Sequence, residues 1–459
     1  MNYDILFRDL GDRRFRVALA GAKGSFSRTL LAQIRAIPRL TVAALCDLDA
    51  EGVLQLLREL GFPADAARLC DDPASVASAA RDGRIAVVRD HALLAALPLD
   101  IVVEATGQPE IGARIAVDAI TRGVHVAMVT KETDSVVGPH LNALAKKHGV
   151  VYTTADGDQP SNLIGLVTWA RLLGFDVVAA GKSSEYDFVF DHATGQVTCT
   201  DRACTAPRIA GLWELGVDVP ASLAARAEAL AALPQRTTPD YCEMNVVANS
   251  TGLLPSSDIL SNPVCRITEL ADIFVPREDG GILDRIGVVD VFNCLRRPEE
   301  VSFGGGVFVI IRCHDDVVWE LLRGKGHVVS RNGRYACVFL PYHLMGLETP
   351  LTLLSAVGHG RASGSDTQRV HAVMVARADR DFVAGEMLHM GGHHHVMTDT
   401  TAMLLPAGEA RGLAPFYLAA NKRLVADVKR GDILPESAID LTGSLLQSLR
   451  NEYGAGVQA

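Results

Sequence analysis

Two glycines and one aspartate near the start of the chain have types and a spacing that suit nucleotide chemistry. Gly21 and Gly24 follow an apolar stretch, and Asp47 ends the next one. Gly21 would let the chain turn sharply, and Gly24 would let the backbone approach a pyrophosphate. Asp47 would accept hydrogen bonds from ribose hydroxyls. The spacing is Gly-x-x-Gly-x-x-Ser, because Ser27 replaces the third glycine of the usual dinucleotide pattern. A glycine turn without a ligand is the alternative.

A second set of residues could move protons or polarise a carbonyl group. Lys182 follows an apolar stretch in an Ala-Gly-Lys turn, and Asp158 lies shortly before Pro160. A lysine with a lowered pKa can act as a general acid–base, and a charged lysine can polarise a carbonyl oxygen. Asp158 could orient Lys182 or bind a substrate hydroxyl, and His343 could act as an acid–base. The alternatives are a solvated lysine, a helix N-cap at Asp158 and a structural histidine.

The elements that must position these residues alternate between strand and helix. Residues 14–47 read as a strand, a glycine turn, a helix and a second strand, so amides near Ser25 and Phe26 would open a helix and face an anion. Lys23 lies in the same turn. Further strands are predicted at 84–88, 100–107, 125–129 and 150–154, and helices at 50–60, 109–122 and 139–148. This alternation predicts an α/β fold with a Rossmann-type, doubly wound parallel sheet.

Ligands of such sheets lie beyond the carboxyl ends of the strands. Thr106 and Gly107 follow one predicted strand, and Lys131 and Glu132 follow the next. We therefore expect Thr106, Gly107 and Lys131 to face the nicotinamide half of a dinucleotide, and Glu132 to contact a substrate. Lys131 and Glu132 could instead be exposed side chains without a ligand.

The pattern changes after residue 155. A helix begins near Pro160, a second, alanine-rich helix is predicted at 221–233, and strands and turns are predicted at 177–182, 243–252, 287–293 and 306–312. These elements indicate a mixed α+β domain for substrate binding. Asn249, Asp290 and Lys325 are candidate substrate ligands there, with turn stabilisation as the alternative for Asn249 and Asp290. Residues 361–368 read as a linker, so the predicted domains are 1–155, 156–366 and 367–459.

Composition excludes several classes of protein. The 459 residues carry a net charge of −10, which argues against non-specific binding to nucleic acid or an anionic membrane. No apolar run reaches the length of a membrane span, and the polar, acidic start is unlike a signal peptide. Nine dispersed cysteines without a CxxC pair predict reduced thiols in a cytoplasmic protein.

Three consecutive histidines form the one cluster that suggests a metal. Adjacent residues of a strand point to opposite faces, so His393, His394 and His395 could not all reach one ion, even with His389 upstream. We therefore predict no metal site there.

The chain as a whole resembles homoserine dehydrogenase-like oxidoreductases that carry a C-terminal SAF (β-clip) domain. The SAF resemblance lies in two similar turns, Gly385-Glu386 and Gly431-Asp432. The named branch that it most resembles is that of 1-deoxy-D-xylulose 5-phosphate reductoisomerase-like proteins. The other segments that carry the resemblance are Gly21, Glu104-Ala-Thr-Gly107, Glu132, Gly157-Asp158-Gln-Pro160, Ala180-Gly-Lys182, Ala248-Asn-Ser-Thr-Gly-Leu253, Gly287-Val-Val-Asp290, Gly324-Lys-Gly326, Pro341-Tyr-His-Leu344 and Leu347-Glu-Thr-Pro350.

Three departures from these relatives refine the expectation. The carboxylate of Asp47 would repel a 2′-phosphate, so NAD is favoured over NADP unless Lys23 or Arg28 reaches across. Leu340 stands where the reductoisomerase branch has an arginine, which removes a phosphate clamp. Homoserine dehydrogenases carry an Asn-Gly-Thr-Thr turn where this chain has residues 158–162, which argues against homoserine itself.

The resemblance implies an NAD(P)-dependent oxidoreductase that acts on a small polar hydroxy or keto compound, which we expect to be sugar-derived. We also expect a homo-oligomer, either a dimer or a tetramer. It also implies an α+β substrate and oligomerisation domain and a small all-β SAF domain. Three alternatives stay open. They are a reductoisomerase that uses NADPH and a divalent metal, a homoserine dehydrogenase-type activity, and a dinucleotide-binding sensor without catalysis.

Overall fold

The computed structural model describes residues 2–392 and 394–459. Strands and helices are labelled in chain order. The strands are β1 (Phe15–Ala20), β2 (Leu40–Cys46), β3 (Ala67–Leu69), β4 (Ile85–Val88), β5 (Ile101–Glu104), β6 (His125–Met128), β7 (Tyr152–Thr154), β8 (Asp176–Asp191), β9 (Gln196–Cys199), β10 (Arg202–Thr205), β11 (Leu254–Pro255), β12 (Val264–Cys265), β13 (Val288–Arg296), β14 (Val307–Arg312), β15 (Val328–Val329), β16 (Tyr335–Leu340), β17 (Ala372–Ala378), β18 (Met390–Gly391), β19 (Val396–Met397) and β20 (Thr400–Pro406).

The helices fill the connections between these strands and extend to both ends of the chain. They are α1 (Tyr3–Leu6), α2 (Ser25–Ile34), α3 (Ala50–Glu59), α4 (Pro73–Arg81), α5 (Pro109–Thr121), α6 (Lys131–Lys147), α7 (Gln159–Leu172), α8 (Val219–Ala229), α9 (Thr238–Thr251), α10 (Leu270–Ile273), α11 (Asp316–Gly324), α12 (Thr349–His359), α13 (Phe416–Ala419) and α14 (Leu445–Val457).

The chain forms two compact units. The first comprises Met1–Ser161, Leu344–Val370 and Leu441–Ala459, and the second comprises Asn162–His343 and His371–Asp440. Both α12 and α14 return to the first unit, where Leu353 joins the core of the parallel sheet and α14 packs on α6. The division into three consecutive domains follows the order of elements along the chain and stays a prediction.

The first unit has the predicted Rossmann topology. Its seven strands are parallel and lie in the order β3-β4-β2-β1-β5-β6-β7. The chain runs outward from β1 to one side and then resumes at β5 on the other, which creates a switch point between these two strands. Every residue of β4 and β5 is buried, as expected for central strands with helices on both faces. The predicted α/β fold class is therefore confirmed.

Two segments of this unit differ from the expectation. Helix α6 begins at Lys131 rather than at 139, and Pro139 lies inside it. Most residues from Thr133 to Ala145 are buried, so tertiary packing outweighs the cost of an internal proline. The predicted linker also packs on the first unit, because Gly364 N donates to Thr153 Oγ1 at 2.9 Å.

The second unit is built on one long buried strand. Strand β8 pairs with β13 in parallel and with β14 and β9 in antiparallel orientation, within a nine-stranded sheet. The expectation that the strand ends at a turn beside Lys182 was wrong, since β8 continues nine residues beyond it to Asp191. Gly181 permits this continuation, because a Cβ there would overlap the Asp290 carbonyl oxygen and the Phe308 ring.

Residues 243–251 are helical, so the expectation of strands and turns over 243–252 was wrong. They belong to α9, which has Pro239 in its first turn and ends at Gly252, whose φ is +76°. Its residues from Asp240 to Asn249 are all buried, so the apolar pattern reflects burial on every side rather than a strand.

The C-terminal part of the second unit contains short antiparallel pairs. Strand β17 pairs with β20 along its whole length, and β18 pairs with β19. Across residues 2–392 and 394–459, no helix has both the length and the apolar character needed to cross a membrane.

Candidate active site

The turn after β1 requires glycine at its first position. Gly21 has a φ of +76°, and a Cβ there would overlap the carbonyl group of Ala105 at the end of the neighbouring strand β5. Ser27, in place of the third glycine, is buried, and its hydroxyl donates to Gly21 O at 2.7 Å. The serine therefore ties α2 to the turn, which explains how this departure from the usual pattern is accommodated.

Helix α2 begins directly at this turn. Gly24 is its N-cap residue and provides no side-chain cap, so the first amides of the helix, at Ser25 and Phe26, are not satisfied by capping. The Phe26 ring belongs to the core, which leaves its backbone N–H as the group that can bind a ligand. Uncapped amides at a helix N-terminus bind phosphate groups well.

Asp47 follows β2 and is held by two backbone groups. Its Oδ2 accepts from Lys23 N at 2.9 Å, and its Oδ1 accepts from Asp49 N at 3.0 Å. The cations of the glycine turn and of α2 already have partners: the Lys23 ammonium pairs with Asp49, and Arg28 pairs with Glu59 at 2.9 Å. The carboxylate of Asp47 is therefore the fixed polar group at the end of this strand.

A buried carboxyl group supports the turn after β5. Glu104 Oε1 accepts from Thr106 N at 3.0 Å and from Thr106 Oγ1 at 2.6 Å. Gly107, with a φ of +67°, donates its N–H to Thr130 Oγ1 at 3.0 Å. Burial raises the pKa of Glu104 to about 7, although hydrogen bonds from Thr106 and Thr130 oppose the shift. Hydrogen bonds to Glu104 and Thr130 thus hold the predicted cofactor residues Thr106 and Gly107 in place.

Lys131 and Asp158 form an ion pair in the first unit. Lys131 is the first residue of α6, and its Nζ lies 3.2 and 3.1 Å from the two carboxylate oxygens of Asp158. Asp158 is buried and also accepts from Gln159 N at 3.1 Å, where α7 begins. It therefore has both the N-cap position and a lysine partner. Glu132 is the next residue of α6 and is half-buried.

Lys182 is buried in the second unit beside two carboxylates of α9. Its Nζ lies 2.8 Å from Asp240 Oδ1 and also pairs with Glu243. Asp240 Oδ2 accepts from Ser184 Oγ at 2.8 Å and from Asn262 Nδ2 at 3.4 Å. We call Lys182, Asp240 and Glu243 the lysine cluster. The lysine is 3% exposed and the carboxylates are 0% and 5% exposed.

The two carboxylates of this cluster favour the charged form of the lysine. Burial lowers the pKa of Lys182, but the charges and hydrogen bonds of Asp240 and Glu243 raise it by a larger amount. The net shift of the pKa is therefore upward. Burial likewise raises the pKa of Asp240, and Lys182 partly offsets that shift. Of the two chemical roles open to Lys182, polarising a carbonyl oxygen as a cation fits this environment, and acting as a base with a lowered pKa does not.

Two predicted substrate ligands have mainly structural contacts. Asp290 Oδ2 accepts from Ser256 Oγ at 2.6 Å and Ser261 Oγ at 2.7 Å. In the strand register Asp290 lies opposite Gly181 and Val291 lies opposite Lys182, so the Asp290 and Lys182 side chains point to opposite faces of the sheet. The substrate contact predicted for Asp290 stays a prediction, as does that of Asn249.

Asn249 links α9 to the start of β17. Its Oδ1 accepts from His371 N at 2.8 Å and from Ala372 N at 3.0 Å. Lys325 is exposed at the end of α11, and the half-buried His343 ring lies against Gly305 in the loop after β16. The catalytic role of His343 and the anion-binding role of Lys325 also stay predictions.

The histidine cluster is only partly described. His393 lies outside the described residues, and His394 Nδ1 lies 3.2 Å from Glu185 Oε1. Within residues 2–392 and 394–459, no group of three or more histidine, cysteine or acidic side chains is arranged to hold a metal ion.

The comparison with known families covers the segment of the chain that contains the lysine cluster. Residues 157–349 match the family model described as "Oxidoreductase DRL, catalytic domain". The matched segment is under half of the chain and contains Asp158 and all three residues of the lysine cluster. The match supports an oxidoreductase enzyme, as the sequence predicts. No curated protein matches the chain.

Solved structures with detectable similarity are distant. A dehydrogenase from Chromobacterium violaceum has 18% identity and a TM-score of 0.28, covering 38% of this chain and 46% of its own. A DOX-P reductoisomerase with fosmidomycin and magnesium has 22% identity and a TM-score of 0.28, covering 37% and 46%. A probable dehydrogenase from Thermotoga maritima has 11% identity and a TM-score of 0.36, covering 76% and 90%. The chain thus spans less than half the length of the first two.

Sequence reasoning missed four residues around Lys182. They are Ser184, Asp240, Glu243 and Asn262. Asp240 and Glu243 are three positions apart, so they share a face of a helix, and Thr237-Thr-Pro239 before them is a helix-start signal. Recognising α9 from that signal would have placed both carboxylates together.

Proposed function

We propose that the protein is an NAD-preferring oxidoreductase that interconverts a hydroxyl and a carbonyl group on a small, polar, sugar-derived compound. The first unit would bind the dinucleotide at the Gly21 turn and at Asp47. Lys182 of the second unit would polarise the substrate oxygen. Nicotinamide supplies the hydride chemistry when it is bound, and the protein positions the substrate and stabilises charge.

The observation that carries this proposal is the buried Lys182 paired with the carboxylates of Asp240 and Glu243. A carbonyl oxygen gains negative charge as it accepts hydride, and a fixed cation in a site with little water stabilises that charge strongly. Asp240 and Glu243 keep the lysine protonated and fix its position. Lys131 and Asp158 form a second ion pair, which could contact the cofactor ribose or a substrate hydroxyl as the sequence predicts.

The preference for NAD is supported by the partners of the nearby cations. A 2′-phosphate needs a free lysine or arginine, but Lys23 pairs with Asp49 and Arg28 pairs with Glu59. The Asp47 carboxylate, held by two amides, suits two ribose hydroxyls and repels a phosphate.

The test combines cofactor binding with turnover. Calorimetry should show binding of NAD, and absorbance at the NADH band should report turnover in a screen of hydroxy acids, sugar acids and sugar phosphates. Lys182→Met should lower kcat by about 10²–10³-fold, as for removal of one group that stabilises transition-state charge, with NAD affinity unchanged. Lys429→Met, which removes an exposed lysine, serves as the matched control.

Removal of a buried lysine could also destabilise the fold. The double variant Lys182→Met/Glu243→Gln removes one positive and one negative charge together, so it keeps the charge balance of the cluster. Normal turnover in a folded Lys182 variant would remove this residue from the mechanism. Failure to bind either NAD or NADP would contradict the proposal as a whole.

The finer family relation is also a proposal. Gly385 and Gly431 have φ values of +94° and +93° and precede Glu386 and Asp432, which supports a repeated SAF-type turn in 367–459. We place the chain with the homoserine dehydrogenase-like proteins and near the reductoisomerase branch, as a cytoplasmic homo-oligomer. A pentulose phosphate and a homoserine assay would reveal either alternative activity, and tight NAD binding without turnover would indicate a sensor.

A further inference from the structure

A cavity of about 750 Å³ lies in the second unit, and none of its lining residues belongs to the lysine cluster. Apolar side chains of α8 and the segment after it line part of it, including Leu223 and Leu233. Its polar lining includes Gln235, Arg236 and Asn262. Among the described residues that line it, none carries a carboxylate. A lining without carboxylates contrasts with the net charge of −10 of the whole protein. The cavity therefore favours a ligand with negative charge.

Asn262 has an unsatisfied group at this cavity. The residue is 4% exposed, and its backbone φ of +44° is left-handed. Its Nδ2 donates to Asp240 Oδ2 at 3.4 Å, while its Oδ1 has no hydrogen-bond partner among the described residues. This oxygen has almost no accessible surface, so a ligand hydroxyl would reach it after the Asn262 side chain turns toward the cavity that the residue lines. A buried oxygen without a donor is costly, which favours that turn.

The strand β13 holds the polar wall of the cavity in place. Asn293 Nδ2 donates to Gln235 O at 3.0 Å and to Asn262 O at 2.8 Å. Asp290 Oδ1 accepts from Ser261 N at 2.8 Å, one residue before Asn262. Two buried side chains of one strand thus fix the two backbone segments that carry Gln235 and Asn262.

Arg236 supplies the cation that an anionic ligand needs. In the described part of the chain its guanidinium has no hydrogen-bond or ion-pair partner, and the residue is exposed. Arg277, which also lines the cavity, pairs with Asp284 at 2.6 Å and is already neutralised. A free guanidinium beside a cavity without carboxylates favours a phosphate or carboxylate group.

We propose that this cavity binds a hydroxylated organic anion of the sugar-phosphate or sugar-acid class. Arg236 holds the anionic group, and the Asn262 Oδ1 accepts a hydrogen bond from a ligand hydroxyl. The binding does not depend on the proposed hydride transfer. Asn262 also donates to Asp240 of the lysine cluster, so one residue contacts both the ligand and the cluster.

Calorimetry on the full chain tests this site with three probes that differ in charge. Glucose 6-phosphate and gluconate carry the two kinds of anion, and glucose carries hydroxyls only. At least one anion should bind, and glucose should not bind at the same concentration. Arg236→Met should weaken that binding at least tenfold, and Arg208→Met, which removes an exposed arginine that does not line the cavity, should leave it unchanged.

Asn262→Gly tests the hydrogen bond separately. Glycine tolerates the left-handed backbone, so the fold should persist while the amide is lost. This variant should weaken binding of the hydroxylated anion and leave the weaker affinity for inorganic phosphate unchanged. The proposal is overturned if neither anion binds to the natural protein, or if Arg236→Met binds the anion with the same affinity.

Discussion

Replacing Glu104 by glutamine should make the stability of the protein less dependent on pH. Glu104 is fully buried at the end of β5, and the groups that hydrogen-bond to it are neutral, chiefly the amide and hydroxyl of Thr106. Its Oε2 has no hydrogen-bond partner among the described residues. Glutamine has the same shape and keeps an oxygen for Thr106, but it cannot take a charge.

The sign and size of the effect follow from the pKa. Burial raises the pKa of Glu104 to about 7 from an unfolded-state value of 4.5, so the folded protein binds the proton more tightly. The protonated Glu104 therefore contributes fully to the free energy of unfolding below pH 4.5, and this contribution is lost as the pH rises to about 7. The difference corresponds to roughly 3 kcal/mol. Glu104→Gln removes this loss, so the stability of the variant relative to the natural protein should rise between pH 5 and pH 8.

Urea unfolding at several pH values measures this difference. Asp134, whose pKa burial also raises to about 7, contributes a slope of the same sign, and that slope should remain in Glu104→Gln. The exposed Glu278→Gln is the matched control and should follow the natural protein. Parallel stability curves for Glu104→Gln and the natural protein would refute the reasoning, because Glu104 would then have the same pKa in both states.

Three further substitutions test other parts of the molecule. Gly21→Ala should destabilise the first unit by roughly 1–3 kcal/mol and abolish NAD binding in calorimetry, because its Cβ would overlap Ala105. Asp47→Ser should shift the ratio of NAD to NADP affinity at least tenfold toward NADP, and an unchanged ratio would contradict its assigned position. Arg226→Met should cost roughly 3–5 kcal/mol in urea unfolding, since it leaves Glu269, which Arg226 holds at 2.7 and 2.8 Å, as a buried unpaired charge. Adding Glu269→Gln should recover much of that loss.

The Rossmann unit was predictable because its information is local. A strand, a glycine turn, a helix and an acid at the next strand end lie within 34 consecutive residues, from Arg14 to Asp47. The positive φ at Gly21 and the hydrogen bond from Ser27 to its carbonyl arise within the same segment. The alternation of elements then predicted a doubly wound parallel sheet, whereas the return of α12 and α14 to this unit depends on packing that no local pattern records.

The lysine cluster was only half predictable because its contacts are distant in sequence. The sequence points to Lys182, but its carboxylates lie about 60 positions later on a helix whose sequence pattern resembles that of strands. Helix α9 is buried on every side, so its sequence lacks the amphipathic period that distinguishes a helix from a strand. The sequence also predicts that β8 ends at Lys182, because a lysine is almost never buried inside a strand unless its charge is paired. The pairing carboxylates lie on α9, so the sequence around Lys182 does not reveal them.

The charges of the lysine cluster separate a structural from a chemical role. One ammonium faces two carboxylates, so the group carries an excess negative charge in a buried site, and burial accordingly raises the pKa of Asp240. A purely structural bridge would gain nothing from the second carboxylate, since desolvating it costs several kcal/mol. The second carboxylate does help a lysine that must stay protonated while it polarises a substrate oxygen, because each carboxylate raises the pKa of the lysine. Glu243→Gln should therefore leave the fold intact or more stable while it lowers turnover, and a loss of stability without a change in turnover would identify the cluster as structural.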